Sequence, residues 1–246
     1  MSVHIEEFGD QDTTSLILVH GAGGSSATWF MQLRGLQDRF HVIAIDLNGH
    51  GRTPDRNESD ILQSYLDDID HIVTQFNKPY LGGHSMGGAL TQLYSLRYPD
   101  KLSGIILIGT GGRLRVHPMI FEMLRNNFDE YVRSSASFMF DESTSSEVIT
   151  ASQKEIRKCK PSIIERDFRA CDGFDIMDKV SRINLPTLIL VGENDQMTPE
   201  KYSTYLHENI KKSVMRAIPK AGHAVMLEQS ELLNRSIAEW VLEQKK

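Results

Sequence analysis

The chain has 246 residues, of which 40% are hydrophobic and 24% charged, and its formal net charge at pH 7 is −6. This length and composition are typical of a soluble globular protein with a core of useful size. The acidic balance argues against nucleic acid as a partner, because neutralising phosphates requires clustered lysine and arginine side chains. The two cysteines, Cys159 and Cys171, are too few for a disulfide scaffold and are expected to be free thiols.

The sequence also bears on location. Its first residues, MSVHIEEFGDQD, are acidic where a secretion signal carries a basic and then an apolar region. No apolar stretch approaches the roughly 18 residues that a membrane helix needs. The sequence therefore predicts a cytoplasmic protein with no membrane partner, either a monomer or a homodimer.

Apolar runs and helical segments alternate along the chain. The runs with the continuous hydrophobic character of strands buried on both faces are 15–19, 41–46, 79–84, 104–109, 187–191 and, more weakly, 213–218. Helical spacing or helix-boundary residues mark 27–38, 60–76, 86–98, 199–210 and 230–243. This alternation predicts a mostly parallel sheet with helices on both faces. There is room for one further strand before residue 15.

The stretch between the fourth and fifth apolar runs breaks this pattern. It has no strand-like run, and its patterning predicts short helices over 120–133, 146–159 and 162–171. We expect a core made of residues 1–112 and 179–246, with residues 113–178 inserted as a helical cap.

Unusual polar residues follow the carboxyl ends of these strands, where parallel sheets gather their ligands. The segment GGHSMGG, residues 82–88, contains the pattern G-x-S-x-G at a strand-to-helix junction. Such a sharp turn presents the serine for nucleophilic attack, and small neighbours avoid a clash with the strand and helix. A glycine-rich packing turn is the alternative, but the position favours Ser85 as a nucleophile.

A serine hydroxyl needs a base that takes its proton and a group that orients the base. His223 lies in a glycine-containing loop after the last strand, and Asp195 follows the fifth run. The order Ser, Asp, His is the one expected for this type of sheet. Glu193 competes with Asp195 but is nearer the strand, and Glu228 is a candidate support for the His223 loop.

Acyl transfer also requires donors for the developing oxyanion. The backbone N–H of Met86, at the start of a helix, is the first candidate. The second is the backbone N–H of Ala22, in the glycine-rich loop 20–24. An ordinary glycine turn is the alternative explanation for that loop.

These motifs together resemble the α/β-hydrolase superfamily over essentially the whole chain. The resemblance rests on the HG loop at 20–24, DLNGHGRT at 46–53, GHSMGG at 83–88, GEND at 192–195 and AGH at 221–223. It implies the α/β-hydrolase fold, with Ser85, Asp195 and His223 as the triad and Ala22 and Met86 as oxyanion donors. The inserted segment resembles the small cap of single-domain esterases, enol-lactonases and carbon–carbon bond hydrolases. A serine at position 85 disfavours the relatives that use an aspartate nucleophile, and no cofactor or metal is expected.

The leading functional prediction is a serine carboxylesterase that acts on short- to medium-chain esters of small molecules. Apolar cap residues suggest a substrate pocket lined by Met119, Met123, Phe138 and Met139, although such residues also pack a cap onto a sheet. The alternatives are a carbon–carbon bond or enol-lactone hydrolase, or a ligand sensor with slow turnover. In the hydrolase alternative, Arg113 or Arg115 would bind a substrate carboxylate; otherwise both are solvated.

Overall fold

The computed structural model describes residues 2–245, which form a seven-stranded sheet with helices on both faces. Along the sheet the strand order is β1-β3-β2-β4-β5-β6-β7, and only the pairing of β1 with β3 is antiparallel. The strands are β1 (Ile5–Phe8), β2 (Ser15–Val19), β3 (His41–Ile45), β4 (Tyr80–His84), β5 (Gly104–Ile108), β6 (Thr187–Gly192) and β7 (Ser213–Ile218). The predicted fold class is confirmed, and β1 occupies the space left for one more strand.

Ten α-helices accompany the sheet in the described residues. They are α1 (Phe30–Leu36), α2 (Ile61–Val73), α3 (Met86–Arg97), α4 (Pro118–Asn126), α5 (Phe128–Met139), α6 (Ser146–Ile156), α7 (Pro161–Gly173), α8 (Glu200–Asn209), α9 (Val225–Glu228) and α10 (Ser230–Glu243). The first part of the segment predicted as one helix over 27–38 is a separate 3₁₀ turn, Ser26–Trp29. None of these helices has both the length and the hydrophobicity to cross a membrane.

The core lies in two layers, one on each face of the sheet. Alternate residues of β2 belong to opposite layers: Ile17 lies in the apolar cluster that includes residues of α2, α3 and α8, and Leu18 lies in the cluster that includes residues of α1 and α10. Burial on both faces explains why the central strands are continuously apolar rather than alternating. Because strands β2 to β7 are parallel, their carboxyl ends lie together along one edge of the sheet.

Helices α4 to α7 lie between β5 and β6 in the chain, where the cap was expected, and we call the segment from α4 to α7 the cap. They share an apolar cluster of their own, with Leu124, Tyr131, Val132, Ile164 and Phe168 buried in it. An isolated antiparallel bridge between Arg113 and Asp175 joins the two ends of the segment. The division of the chain at residues 113 and 178 stays a prediction.

One part of the predicted cap is wrong. The expected helix over 120–133 is two helices, α4 and α5, that break at Asn127. Asn127 has non-helical backbone angles (φ −153°, ψ 72°), and its side chain accepts a hydrogen bond from the backbone N–H of Glu130. Asparagine at this position caps the second helix instead of continuing the first.

Candidate active site

Ser85 lies at a sharp turn between β4 and α3. Its backbone angles (φ 52°, ψ −113°) are strained for a residue with a side chain. The flanking glycines allow this turn, because a Cβ at Gly83 would overlap the backbone of Gly87, and one at Gly87 would overlap the carbonyl oxygen of Val19. The glycines around Ser85 are thus required by the close approach of strand and helix.

His223 and Asp195 are brought together beside this turn. Nδ1 of His223 is 2.9 Å from Oδ2 of Asp195, and both side chains are buried. Ser85 and His223 line the same cavity. The three residues come from the ends of β4, β6 and β7, so the strand order of the sheet places them at one edge.

Asp195 is held as an ionised hydrogen-bond acceptor. Its Oδ1 accepts from the backbone N–H groups of Met197 (2.9 Å) and Thr198 (2.8 Å), and its Oδ2 accepts from the Thr198 hydroxyl (2.8 Å). Burial alone would raise the pKa of Asp195, but the neighbouring His223 and the donors from Thr198 outweigh it and lower that pKa. A carboxylate in this state fixes the proton of His223 on Nδ1 and leaves Nε2 to accept one. Glu193, the competing carboxylate, is exposed.

His84, next to Ser85, contacts the same loop. Its Nε2–H donates to the backbone carbonyl oxygen of His223 (2.9 Å), and the two imidazole rings are 4.5 Å apart between centroids. Burial and the nearby His223 lower the pKa of His84 to about 3, so this ring is neutral. No role for His84 was predicted from the sequence, although its place inside the G-x-S-x-G pattern was the available signal.

Met86, one predicted oxyanion donor, directly follows Ser85, and a Cβ at Gly21, next to the other donor Ala22, would lie 3.3 Å from the Cβ of Ser85. Met86 is the first residue of α3, where a helix leaves its N–H groups without an intrahelical partner. Within residues 2–245, neither the backbone N–H of Met86 nor that of Ala22 donates a hydrogen bond. Ala22 lines the cavity that contains Ser85. Both amides are therefore free to bind a negatively charged oxygen.

We call the space around Ser85 and His223 the Ser85 cavity, and its volume is about 380 Å³. Its wall is mostly apolar and comes from the cap on one side and from the 20–31 segment and α9 on the other. The cap contributes Tyr131, Phe138, Met139, Val148, Ile156 and Phe168, among others. This volume suits a small organic molecule.

The four predicted pocket residues do not all line this cavity. Phe138 and Met139 do, but Met119 and Met123 line a second space, which we call the outer cavity. Met119 lies on α4 and is 56% exposed to solvent. Among the described residues, none of α4 lines the Ser85 cavity, so the assignment of Met119 and Met123 to that cavity is not supported.

Arg113 and Arg115 both lie away from Ser85. Arg113 Nε is 2.7 Å from Asp175 Oδ2, and Arg115 Nη2 is 3.3 Å from the same oxygen. Arg115 also donates to the backbone carbonyl oxygens of Leu114 and Asp172. Neither arginine lines the Ser85 cavity.

Glu228 contacts both the loop before His223, as predicted, and the segment that follows α5. Its Oε1 accepts from the backbone N–H of Gly222 (2.9 Å), immediately before His223. Its Oε2 accepts from the backbone N–H of Asp141 (2.7 Å) and the hydroxyl of Thr144 (2.7 Å), just after α5. Asp141 in turn accepts from the side chain of Asn194, next to Asp195.

Comparison with known proteins identifies the family. The family model described as serine aminopeptidase, S33, matches residues 10–230. The chain belongs to this family. It is a hydrolase with the α/β-hydrolase fold, and the resemblance inferred from the motifs is confirmed.

Relatives of this hydrolase carry several different names. The RutD protein of Agrobacterium fabrum, named as a candidate carbamate hydrolase, is 25% identical over 98% of each chain. The pimeloyl-[acyl-carrier protein] methyl ester esterase of Neisseria meningitidis is 25% identical over 92% of this chain and 77% of its own. A solved thermophilic esterase from Thermogutta terrifontis is 26% identical, with a TM-score of 0.89 over 99% of this chain and 94% of that one. These names describe the relatives and leave the substrate of this hydrolase open.

Proposed function

We propose that this hydrolase is a serine carboxylesterase that cleaves short- to medium-chain esters through an acyl-enzyme on Ser85. The observation that carries the proposal is the shared cavity of Ser85 and His223, with the imidazole held by Asp195 at 2.9 Å. His223 takes the proton of the Ser85 hydroxyl as the oxygen attacks the ester carbonyl. The backbone N–H groups of Ala22 and Met86 bind the oxyanion of the tetrahedral intermediate.

The intermediate then loses the alcohol, to which His223 returns the proton. A water molecule attacks the acyl-enzyme with His223 again as the base, and the acid leaves Ser85. The apolar wall of the Ser85 cavity favours an uncharged acyl chain over a charged one. Two of the relatives are esterases by name, which supports ester cleavage.

The structure gives less support to a carboxylated substrate of a carbon–carbon bond or enol-lactone hydrolase. Among residues 2–245, no lysine or arginine lines the Ser85 cavity, and Asp175 already pairs with Arg113 and Arg115. The same reasoning applies to an aminopeptidase, which needs a free carboxylate for the substrate's amino group. In the part of the chain that the structure describes, Glu155 is the one acidic residue of the cavity wall, and its carboxylate pairs with Lys158 at 2.6 Å.

The test is hydrolysis of p-nitrophenyl esters from acetate to laurate by the wild type and by Ser85→Ala. We expect an optimum among short and medium chains and a loss of at least about 10³-fold in kcat for Ser85→Ala, since the base then has no nucleophile to activate. An amino-acid p-nitroanilide is the control substrate for peptidase activity.

Two outcomes would contradict the proposal. Ester turnover that survives in folded Ser85→Ala would exclude Ser85 as the nucleophile. Negligible turnover of every ester by a folded wild type, with a ligand-induced rise in melting temperature, would instead favour the slow sensor.

A further inference from the structure

A buried cluster lies beneath the loop 20–24, which we call the oxyanion loop. It joins Asp167 of α7, His50 of the loop after β3 and Tyr65 of α2, and all three side chains are almost completely buried. Oδ2 of Asp167 accepts from the backbone N–H of Gly23 (2.9 Å) and is 2.7 Å from Nε2 of His50. The other oxygen of Asp167 accepts from the hydroxyl of Tyr65.

The hydrogen bonds assign the charges of this cluster. Both ring nitrogens of His50 face acceptors, because Nδ1 is 3.2 Å from the carbonyl oxygen of Asn48 and Nε2 faces Asp167. His50 is therefore an imidazolium paired with an Asp167 carboxylate. Burial lowers the pKa of His50, but the charge of Asp167 and its hydrogen bond outweigh burial and raise it. Burial would raise the pKa of Asp167, and His50 more than reverses that effect.

Two successive peptide groups of the oxyanion loop are held by hydrogen bonds to His20 and to Asp167. Nδ1–H of His20 donates to the carbonyl oxygen of Gly21 (2.8 Å), and Nε2 of His20 accepts from the backbone N–H of Leu47 (3.2 Å). The peptide group that contains the Gly21 carbonyl also contains the N–H of Ala22, which points the opposite way in a trans peptide. Asp167 holds the next peptide group along, through the N–H of Gly23.

Helix α7 also packs directly on Gly23. Gly23 has φ +67°, and a Cβ there would press against the side chain of Ile164, one turn before Asp167. The ring of His20 is 4.7 Å from that of His50 between centroids, so the two supports of the loop, His20 and Asp167, are connected through His50.

We propose that Asp167 is a positioning residue through which the cap helix α7 holds the backbone N–H of Ala22 in the geometry that binds the oxyanion. This inference rests on the proposed function, in which that N–H is an oxyanion donor. Asp167 touches neither substrate nor Ser85; it acts through Gly23. Because it lies on the cap, a movement of α7 would also move an oxyanion donor.

The test compares three variants with the wild type in kcat and KM for the preferred p-nitrophenyl ester. Asp167→Ala removes the acceptor of the Gly23 N–H, and we expect kcat to fall about 10- to 100-fold with KM changed less than about threefold. Asp167→Asn keeps an oxygen for the Gly23 N–H, while its amide N–H₂ can donate to Tyr65. We expect it to recover kcat to within about fivefold of the wild type, although its melting temperature falls with the lost ion pair.

Tyr65→Phe is the matched control, because it removes a buried partner of Asp167 on the oxygen that does not contact Gly23. Its kcat should stay within about threefold of the wild type while its melting temperature falls. The proposal is overturned if Asp167→Ala keeps the wild-type kcat, or if kcat falls equally in Asp167→Ala and Tyr65→Phe. Equal loss would indicate a structural role only.

Amide hydrogen exchange, followed by NMR, tests the inference independently of activity. In the wild type we expect the Gly23 amide to exchange at least about 100-fold more slowly than the Ala22 amide, because only the former is hydrogen-bonded. Equally fast exchange of the two would overturn the inference even if Asp167→Ala does not fold. If the wild type hydrolyses no ester, the proposed function fails, and the exchange data then decide the role of Asp167. Slow exchange of the Gly23 amide that persists in Tyr65→Phe and is lost in Asp167→Ala would still identify Asp167 as the support of the loop.

Discussion

Ser85 keeps a backbone conformation that costs on the order of 1–3 kcal/mol for a residue with a side chain. Its neighbours hold it there by hydrogen bonds: its N–H donates to the carbonyl oxygen of Ile108 (2.9 Å), and its own carbonyl oxygen accepts from the Thr110 hydroxyl (2.9 Å). Both partners lie on β5 or just after it, beside the turn. The adjacent strand therefore helps to hold the strained turn, together with the first hydrogen bond of α3, in which the Ala89 N–H donates to the Ser85 carbonyl oxygen (3.1 Å).

Single residues of the cap should set the preferred chain length. Met139 lines the Ser85 cavity, and Met119 lines the outer cavity. Met139→Ala removes three heavy atoms from the wall, so we expect the optimum of the p-nitrophenyl series to move by about two carbons toward longer chains. Each additional buried methylene contributes roughly 0.8 kcal/mol, or about fourfold in kcat/KM.

Met119→Ala is the control for this prediction, since it makes the same truncation outside the Ser85 cavity. Its chain-length profile should match that of the wild type. A shift of the optimum in Met119→Ala, or none in Met139→Ala, would contradict the placement of the acyl chain against Met139.

At the scale of elements, periodicity and composition were enough for the core and insufficient for the cap. Strands β2 to β6 are buried, largely apolar runs, and the turn at Ser85 carries its own glycine pattern, so both are legible in the sequence. The α4–α5 boundary was missed although Asn127 with Glu130 three positions later is a helix-start signal. Apolar residues continue at helical spacing across Asn127, and that periodicity concealed the break.

The contacts that connect these elements could not be predicted from the sequence. Asp167 and Gly23 are 144 positions apart, and Glu228 and Asp141 are 87 apart. No local pattern marks such pairs, because they exist only once the cap has packed on the sheet. An acidic residue within α7 looks in sequence like any solvated helical residue.

The hydrogen bonds of Glu228 give a prediction for the loop that carries His223. Both oxygens of this carboxylate accept from backbone N–H groups, so Glu228→Gln would place an amide N–H₂ against a backbone N–H. We expect the free energy of unfolding to fall by about 1–3 kcal/mol and kcat to fall several-fold, because Gly222 and therefore His223 lose a support.

Glu231→Gln is the matched control, made on an exposed glutamate at the start of α10. It should change stability by less than about 0.5 kcal/mol. Chemical denaturation and steady-state kinetics measure both quantities. Wild-type kcat in Glu228→Gln would show that Glu228 stabilises the cap without positioning His223.

At the scale of the whole molecule, buried histidines should limit stability in acid. Burial and the charge of His50 lower the pKa of His20 to about 4, and burial and His223 lower that of His84 to about 3. Both residues regain an ordinary pKa near 6.5 on unfolding, so the unfolded chain binds more protons below that pH. The contribution of these two histidines to stability is therefore greatest above about pH 6.5 and is lost as the pH falls toward 4.

The size of this loss follows from linkage. Between pH 7 and pH 5 each histidine should cost on the order of 2 kcal/mol of unfolding free energy. The carboxyl groups of Asp167 and Asp195, whose pKa values are lowered, lose their contribution only below about pH 4, so the two effects separate. His50 has a raised pKa and acts in the opposite sense, since its contribution is present below about pH 6.5 and is lost as the pH rises through the raised value.

Urea denaturation at pH 7, 6 and 5 measures this dependence in the wild type and in His20→Asn. Asparagine preserves one donor and one acceptor between Gly21 and Leu47 but does not titrate, so its stability should fall less steeply between pH 7 and 5. His71→Asn, on an exposed face of α2, should keep the wild-type slope. Equal slopes in all three proteins would mean that His20 is not buried as a neutral ring. An imidazolium at His20 could still donate to the Gly21 carbonyl oxygen but could no longer accept from the Leu47 N–H.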